Sequence, residues 1–248
     1  KFMNIKCGYG KLAPEAIVLV ATIRALRHHG GAKKEEYNTP SMERVSKGFQ
    51  NLAMHIENCK KFGITPVVAI NHFPADTTEE IEFVQTQCAA LGVKAIVSYG
   101  FAKGGEGTQE LAQAVCDVID AGTNHFKPLY DWNLSVEEKI KTIATEIYGA
   151  DGVEYSSKAR TQLKMILNLG YDKLPICMAK TQKSLSDKET AVGRPTGFTI
   201  NVREFEFAAG AGFIIPILGD MMRMPGLPAV PASEHMDIDN AGKISGLS

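Results

Sequence analysis

Three short apolar runs, separated by helical patterns, constrain the fold of the first half of the chain. The runs lie at 16–22, 66–70 and 94–99 and are rich in β-branched residues, which predicts buried strands. We expect the first run to be buried on both faces. Apolar residues at helical spacing follow each run, at 45–59, 81–91 and 111–118. This order predicts a parallel sheet with right-handed crossovers and flanking helices, a Rossmann-like or P-loop-NTPase-like layer in an α/β protein.

Capping residues mark the ends of several of these predicted helices. Ser41 can begin the first, and Gly63 can end it. Thr77 and Glu80 have the spacing of a capping box before the second. These positions indicate where the predicted helices begin and end.

The second half has a different pattern and predicts a smaller α+β subdomain. A capping box at Ser135 and Glu138 opens one helix, and a further helix carries Ala159, Leu163 and Ile166. Three strands are predicted at 176–179, 198–207 and 212–218, with a bulge near Glu204 in the second. We expect two domains, 1–125 and 126–248, and an irregular tail from residue 221.

Composition excludes several classes of function. The 248 residues carry a net charge of -1, which argues against nucleic acid as the main partner. No apolar run reaches the roughly 18 residues of a membrane span. Five cysteines form no CxxC pair, which is typical of reduced thiols in an intracellular protein. We therefore expect a cytoplasmic protein whose main partner is not nucleic acid.

The loops after the strands are the expected ligand sites, because open parallel sheets bind ligands at the carboxyl ends of their strands. These loops are 24–31, 71–77 and 100–108. Phe73 and Phe101 lie in the second and third, and together they could hold a flat ring between them. The alternative is that each phenylalanine simply covers the end of the sheet.

A glycine-rich segment, Lys103-Gly104-Gly105-Glu106-Gly107, follows the third strand. Its backbone N–H groups could bind an anion, or it could be a tight turn without a ligand. The GxxxxGK[ST] pattern of a P-loop does not occur in the chain. His28 and His29 are adjacent, which favours surface or capping roles over metal chelation.

Taken together, these segments resemble formate–tetrahydrofolate ligases. The resemblance rests on six segments that occur in the family's order: KFMNIKC at 1–7, IVLVATIRAL at 17–26, AKGGEG at 102–107, IYGAD at 147–151, LPICMAKT at 174–181 and MPGLP at 224–228. It implies the C-terminal part of an enzyme that joins formate to tetrahydrofolate with ATP, through formyl phosphate. The family's phosphate loop and catalytic arginine are expected in an N-terminal region that this sequence does not contain.

The resemblance also implies site residues and cofactors. Phe73 and Phe101 would sandwich the pterin, and Lys103, Gly104, Gly105 and Glu106 would form the rim of the folate pocket. Candidates for anion or nucleotide contacts are Lys6, Arg24, Met224, Pro225 and Gly226. Mg²⁺ and a monovalent cation, K⁺ or NH₄⁺, are expected, as is a homo-oligomer or association with the N-terminal region.

Two positions depart from the family pattern. Phe101 stands where many bacterial members have Trp. Phenylalanine keeps a stacking face at this position but lacks the indole N–H. Gly8 stands where members usually have Arg, and Lys11 is a possible replacement for that charge.

Of two other functions, one remains open and the sequence disfavours the second. The chain could be a non-catalytic fragment or paralogue that acts in assembly or binds a pterin or nucleotide. A stand-alone dinucleotide enzyme would need a GxGxxG loop after the first strand, and residues 24–31 do not fit that pattern.

Overall fold

A parallel three-stranded sheet organises the first half of the protein. A computed structural model describes residues 1–219 and 230–246. Strands β1 (Val18–Ala21), β2 (Val67–Asn71) and β3 (Ala95–Ser98) pair in that order, and both pairings are parallel. The predicted α/β class with flanking helices is confirmed.

Eight α-helices occur within the described residues. In chain order they are α1 (Cys7–Gly10), α2 (Ile23–His29), α3 (Met42–Lys61), α4 (Thr78–Ala90), α5 (Gly100–Lys103), α6 (Gln109–Ala121), α7 (Val136–Thr142) and α8 (Ser157–Asn168). A π-helical turn, Phe2–Lys6, precedes α1, and another, Ile143–Ile147, continues α7.

The predicted capping residues begin their helices as expected. The Ser41 hydroxyl accepts the Arg44 N–H at the start of α3. Both capping boxes form, Thr77 with Glu80 before α4 and Ser135 with Glu138 before α7. Local side-chain chemistry therefore sets the start of three helices.

The segment 24–31, expected to be a loop, is mostly helix α2. Thr22 ends the extended strand and at once caps the helix, since its hydroxyl accepts the Ala25 N–H at 3.1 Å. The helix packs closely on α3, because glycines at the crossing let the backbones of the two helices contact each other directly. A Cβ added to Gly48 would lie 1.8 Å from the Leu26 carbonyl oxygen.

The expectation that β1 is buried on both faces is wrong. Leu19 packs into the core with α3 and α4, but Val18 and Val20 are 41% and 63% exposed. Helix α6 packs on the opposite face of the sheet, over β3 and β2. Val18 and Val20 of the edge strand lie on the side that α6 does not reach in the described structure.

The second half contains a mixed sheet. Strand β4 (Gly152–Tyr155) pairs parallel with β5 (Thr199–Ala208), which pairs antiparallel with β6 (Phe213–Leu218). The register shifts between Val202 and Glu204, as the predicted bulge requires. The predicted strand at 176–179 is reduced to isolated bridges to β6, at Ile176 and Ala179.

The apolar core divides into two clusters. The buried residues of one lie between 21 and 93 around the parallel sheet, and those of the other lie between 130 and 218 around the mixed sheet. The proposed domain boundary at 125/126 falls between them and stays a prediction.

The described end of the chain is a small hairpin of β7 (Asp237–Ile238) and β8 (Ile244–Ser245). In the described ranges, no helix combines the length and the apolar character that crossing a membrane requires.

Candidate functional site

The loops that follow β2 and β3 lie side by side at the carboxyl edge of the parallel sheet. The His72 N–H donates to the Ser98 carbonyl at 3.1 Å. The rings of His72 and Tyr99 lie 4.8 Å apart between centroids. The segments that carry Phe73 and Phe101 therefore leave the sheet next to each other.

Phe73 forms part of a small pocket at this edge. The Arg24 guanidinium carbon lies 5.4 Å from the centre of the Phe73 ring, within the range of a cation–π contact. The pocket has a volume of about 290 Å³ and is lined by Thr22, Arg24, Ala25, His28, Tyr37 and Phe73. The structure thus brings Phe73 and Arg24, predicted from separate segments, into one place.

Phe101 projects into solvent from the neighbouring loop. It lies in the short helix α5, and 93% of its surface is exposed. An aromatic ring so exposed has nearly its whole apolar surface in water, so a flat ligand could stack on it without displacing protein atoms.

The glycine-rich segment has a clear structural role. Gly104 has a φ of +57°, and a Cβ on Gly107 would lie 2.5 Å from the Tyr99 carbonyl oxygen. The Tyr99 N–H donates to the Gly107 carbonyl at 2.9 Å. These glycines close a tight turn beside Tyr99. Lys103, Gly104, Gly105 and Glu106 are exposed along its outer side.

A buried ion pair that was not predicted from the sequence supports the Phe73 loop. Arg27 and Glu80 have 0% and 1% exposure, and two hydrogen bonds of 2.9 and 2.5 Å join them. Arg27 also donates to the carbonyls of Tyr37 and Ala75. The pair therefore ties α2 and α4 to the loop that carries Phe73.

Hydrogen bonds keep Glu80 ionised despite its burial. Burial alone would raise the pKa of the carboxyl group, but hydrogen bonds from Arg27, Ser41 and Thr77 hold it below its usual value. With both groups charged, each is compensated by the other and by surrounding backbone groups. No local pattern could reveal this pair, because its members lie 53 positions apart.

Asp76 is a second functional candidate that the sequence did not single out. Its Oδ2 accepts the Phe73 N–H at 2.8 Å and fixes the backbone of that residue. Its Oδ1 is buried and has no hydrogen-bond partner among the described residues. Burial is the main cause of a raised pKa at this carboxyl group.

Lys6 belongs to a different segment of the structure. Its ammonium lies 5.9 Å from the centre of the Phe2 ring, in the N-terminal turn. In the same turn, Oδ1 of Asn4 accepts a hydrogen bond from the Leu129 N–H. Met224, Pro225 and Gly226 lie outside the described residues.

Gly8, where the resemblance led us to expect Arg, lies against Trp132. A Cβ at this position would lie 2.4 Å from the indole ring. The indole N–H donates to the Asn4 carbonyl at 3.2 Å, which holds the ring there. An arginine at this position would require Trp132 to move.

Comparison with known protein families agrees with these observations. The family model described as formate–tetrahydrofolate ligase matches residues 1–248, the full length of the sequence. The match includes the strand ends and loops that carry Phe73, Phe101 and Arg24. The chain belongs to the formate–tetrahydrofolate ligase family.

Proposed function

We propose that this chain supplies the folate-binding part of a formate–tetrahydrofolate ligase and that Phe73 forms one wall of the pterin site. The observation that carries the proposal is the pocket beside Phe73, at the carboxyl edge of the sheet, with a volume of about 290 Å³. Sites for whole small molecules usually occupy roughly 300–1,000 Å³. This pocket therefore suits a bicyclic ring, with the rest of the folate extending across the surface.

Phe101 is proposed as the opposite wall of the same site. It follows the strand next to the one that precedes Phe73, and its ring is almost fully exposed. A pterin stacked between two aromatic rings would cover apolar surface on both of them, which is a favourable change.

Arg24 is proposed to bind an anionic group of the substrate. Its guanidinium already lies over the Phe73 ring, so a ligand that stacks on Phe73 would bring a carboxylate or phosphate within its reach. Lys103, Gly104, Gly105 and Glu106 would border the site on the side of α5. Lys6, Met224, Pro225 and Gly226 remain candidate anion contacts.

The reaction proposed is the transfer of a formyl group to the folate amine. Formate attacks the γ-phosphate of ATP to give formyl phosphate and ADP. The N10 nitrogen of tetrahydrofolate then attacks the formyl carbon, and phosphate leaves. In this scheme the described residues bind and orient the folate, which raises the effective concentration of N10 at the acyl group.

The described residues do not form a protein cage for a divalent metal. Among residues 1–219 and 230–246, no three His, Cys, Asp or Glu side chains come together as a ligand set. Mg²⁺, bound with the nucleotide, and a monovalent cation stay expectations that the ligase family implies.

A binding titration tests the proposal. Tetrahydrofolate should bind the chain saturably, and Phe73→Ala should weaken binding by about tenfold through the loss of ring stacking. Phe101→Ala should weaken binding by a similar factor. Leu167→Ala, which removes an exposed apolar side chain on α8 outside the proposed site, is the control and should leave the dissociation constant within about twofold. Binding that is insensitive to both Phe73→Ala and Phe101→Ala would place the folate elsewhere.

A second candidate function is pterin binding without catalysis. The observation that favours it is that no GxxxxGK[ST] sequence occurs in these 248 residues. Formate-dependent isotope exchange between ADP and ATP separates the two roles. We expect no exchange from this chain alone, and exchange above the rate without formate would show that it activates formate by itself.

A further inference from the structure

His28 is a polar residue in the wall of the pocket beside Phe73, and the proposed function gives it no role. It follows Arg24 by one turn of α2, so the two side chains lie on the same face of that helix. Both line the pocket together with Phe73. The imidazole of His28 is half-buried there.

Tyr37 holds the imidazole ring of His28 in place. The Tyr37 hydroxyl oxygen lies 2.8 Å from Nδ1 of His28, which is a hydrogen-bond distance. The two rings also pack edge to face, with their centroids 5.4 Å apart. The Tyr37 carbonyl in turn accepts a hydrogen bond of 2.8 Å from the buried Arg27 guanidinium. Because Tyr37 is fixed through its backbone and its ring, the orientation of the His28 ring is fixed as well.

The hydrogen bond to Tyr37 determines which group the other ring nitrogen of His28 presents. The phenol has one O–H and no other hydrogen-bond partner among the described residues, so its proton goes to Nδ1. In a neutral imidazole, Nε2 then carries the single N–H. A protonated imidazole also carries an N–H at Nε2, so this nitrogen is a donor in either state.

Nε2 of His28 is accessible from the pocket. It forms no hydrogen bond with the described part of the protein. The buried side-chain atoms of the described residues that lack a partner lie on Asn58, Asp76 and Tyr155, and Nε2 of His28 is not one of them. Solvent therefore reaches Nε2, and a ligand in the pocket can replace that solvent.

We propose that His28 is a specificity-determining residue of the folate site and that its Nε2–H donates to the oxo group on the pyrimidine edge of the pterin. The inference rests on the proposed function, because it takes the pterin to be the ligand of this pocket. Stacking on Phe73 favours any flat ring, whereas a hydrogen bond at the ring edge distinguishes one substituent from another. Tyr37 is a positioning residue, since it acts through His28.

Tetrahydrofolate and its 4-amino analogue, tetrahydroaminopterin, test the donor on the unmodified chain. The two molecules share the ring skeleton and the tail, but the 4-oxo group of the first is an amino group in the second. An amino group that faces Nε2–H would place a donor against a donor. We expect tetrahydrofolate to bind at least about tenfold more tightly in equilibrium titrations.

Variants then assign this preference to the pair. His28→Phe keeps a ring against Tyr37 but has no ring nitrogen, so the preference should fall below about threefold. His125→Phe, at an exposed position on another segment, is the matched control and should retain about the tenfold preference.

Tyr37→Phe tests the positioning role and removes only a hydroxyl group, so it also serves if His28→Phe does not fold. Without the phenol proton, Nε2 can accept as well as donate. Tetrahydroaminopterin should therefore gain affinity, whereas the affinity for tetrahydrofolate should stay within about threefold. An unchanged ratio of the two affinities in Tyr37→Phe would overturn the tautomer assignment on which the inference depends.

Nitrogen NMR of the imidazole gives a readout that a merely structural role would not move. Long-range proton–nitrogen spectra of the unmodified chain with bound tetrahydrofolate should show the His28 proton on Nε2, and the Nε2 signal should shift when the ligand binds. A proton on Nδ1 with Nε2 unprotonated would overturn the inference.

Phe73→Ala separates a failure of this inference from a failure of the folate site. Equal affinities for the two ligands, or an unchanged preference in His28→Phe, would overturn the role of His28 alone if binding still depends on Phe73. Tetrahydrofolate binding that Phe73→Ala does not weaken would overturn the proposed site at Phe73, and the role of His28 with it.

Discussion

At the scale of single residues, Phe101 is the position where a substitution should improve the proposed site. Phe101→Trp would enlarge the stacking face, and because the Phe101 side chain is 93% exposed, the larger indole would project into solvent. We expect tetrahydrofolate to bind more tightly by about 1 kcal/mol, measured by equilibrium titration. Leu167→Trp places an indole at another exposed apolar position, on α8, and serves as the control. An unchanged or weaker affinity for Phe101→Trp would argue against stacking on this residue.

Lys139 is a residue on which stability should depend strongly. It is fully buried, and its ammonium donates to the carbonyls of Trp132, Asp172 and Leu174. Burial lowers its pKa to about 8, so it remains mainly protonated at pH 7. It links α7 to the segment at Trp132 and to the segment at Asp172 and Leu174.

Lys139→Met keeps most of the side-chain volume but leaves three carbonyls without this donor. We expect the free energy of unfolding to fall by about 3 kcal/mol, measured by denaturant titration. Lys141→Met on the exposed side of the same helix should change it by less than about 0.5 kcal/mol. Similar losses in both variants would contradict a specific role for Lys139.

At the scale of elements, the crossing of α2 and α3 depends on glycine. The space for a side chain at Gly48 is occupied by the Leu26 carbonyl, 1.8 Å from a Cβ. Gly30 meets the Arg44 carbonyl in the same way, at 1.9 Å. The two helices approach so closely that backbone atoms of one fill the side-chain space of the other.

Gly48→Ala should therefore destabilise the protein although alanine is the better helix former. We expect a loss of about 2–3 kcal/mol in thermal or chemical unfolding, because the helices must move apart. Gly210→Ala, where a Cβ meets nothing within 4 Å, should be nearly neutral. A stabilised Gly48→Ala variant would show that the crossing is looser than the structure indicates.

The elements that the sequence predicted are those with a local signal. Ser41, Thr77 and Ser135 cap helices through bonds to residues three positions away, so their pattern is visible in the sequence. Strand β4 was not predicted, because its four residues, Gly-Val-Glu-Tyr, pair only with a strand more than 40 positions away. The strand expected at 176–179 follows Pro175 and makes only isolated bridges, so an apolar run alone was not sufficient.

The residues of the proposed site, like the elements, were predictable where the signal was local. Phe73 and Phe101 follow strands, so their placement at one edge came from the order of the elements. The sequence did not predict Arg27, because its partner Glu80 lies 53 positions away. It did not predict Asp76, because the role of that residue depends on burial of its carboxyl group. Arg24 lies beside Phe73 because α2 begins directly after β1. The sequence predicted a loop there, so it did not predict this contact.

At the scale of the whole molecule, contacts from the segment near Gly193 tie the second half to the first. The Asn51 amide donates to the Gly193 carbonyl at 2.8 Å, and the Gly193 N–H donates to Nδ1 of His29 at 3.2 Å. Arg194 forms two hydrogen bonds with Glu57. To accept the hydrogen bond from Gly193, Nδ1 of His29 must be unprotonated.

The stability of the folded protein should therefore depend on the charge of His29. Burial, with smaller contributions from His28 and His55, lowers its pKa from 6.5 to about 4. Between these values the unfolded chain binds more protons than the folded chain, so stability falls as the pH drops from 6.5 toward 4. Below pH 4 both states are protonated, and this dependence ends.

Unfolding free energies measured from pH 7 to pH 4 check this linkage. His29→Gln should flatten the decline with falling pH, whereas His125→Gln at an exposed position should retain it. A decline of unchanged slope in His29→Gln would assign the acid sensitivity to other groups.

The most direct measurement of the central claim is the position of the bound pterin. Tetrahydrofolate can be added to the chain, and contacts between its ring protons and aromatic side chains can be recorded by intermolecular NOEs or in a crystal of the complex. The account predicts the pterin against the Phe73 ring, with Phe101 on its other face and Arg24 at its edge. A pterin that binds saturably away from Phe73 would contradict it.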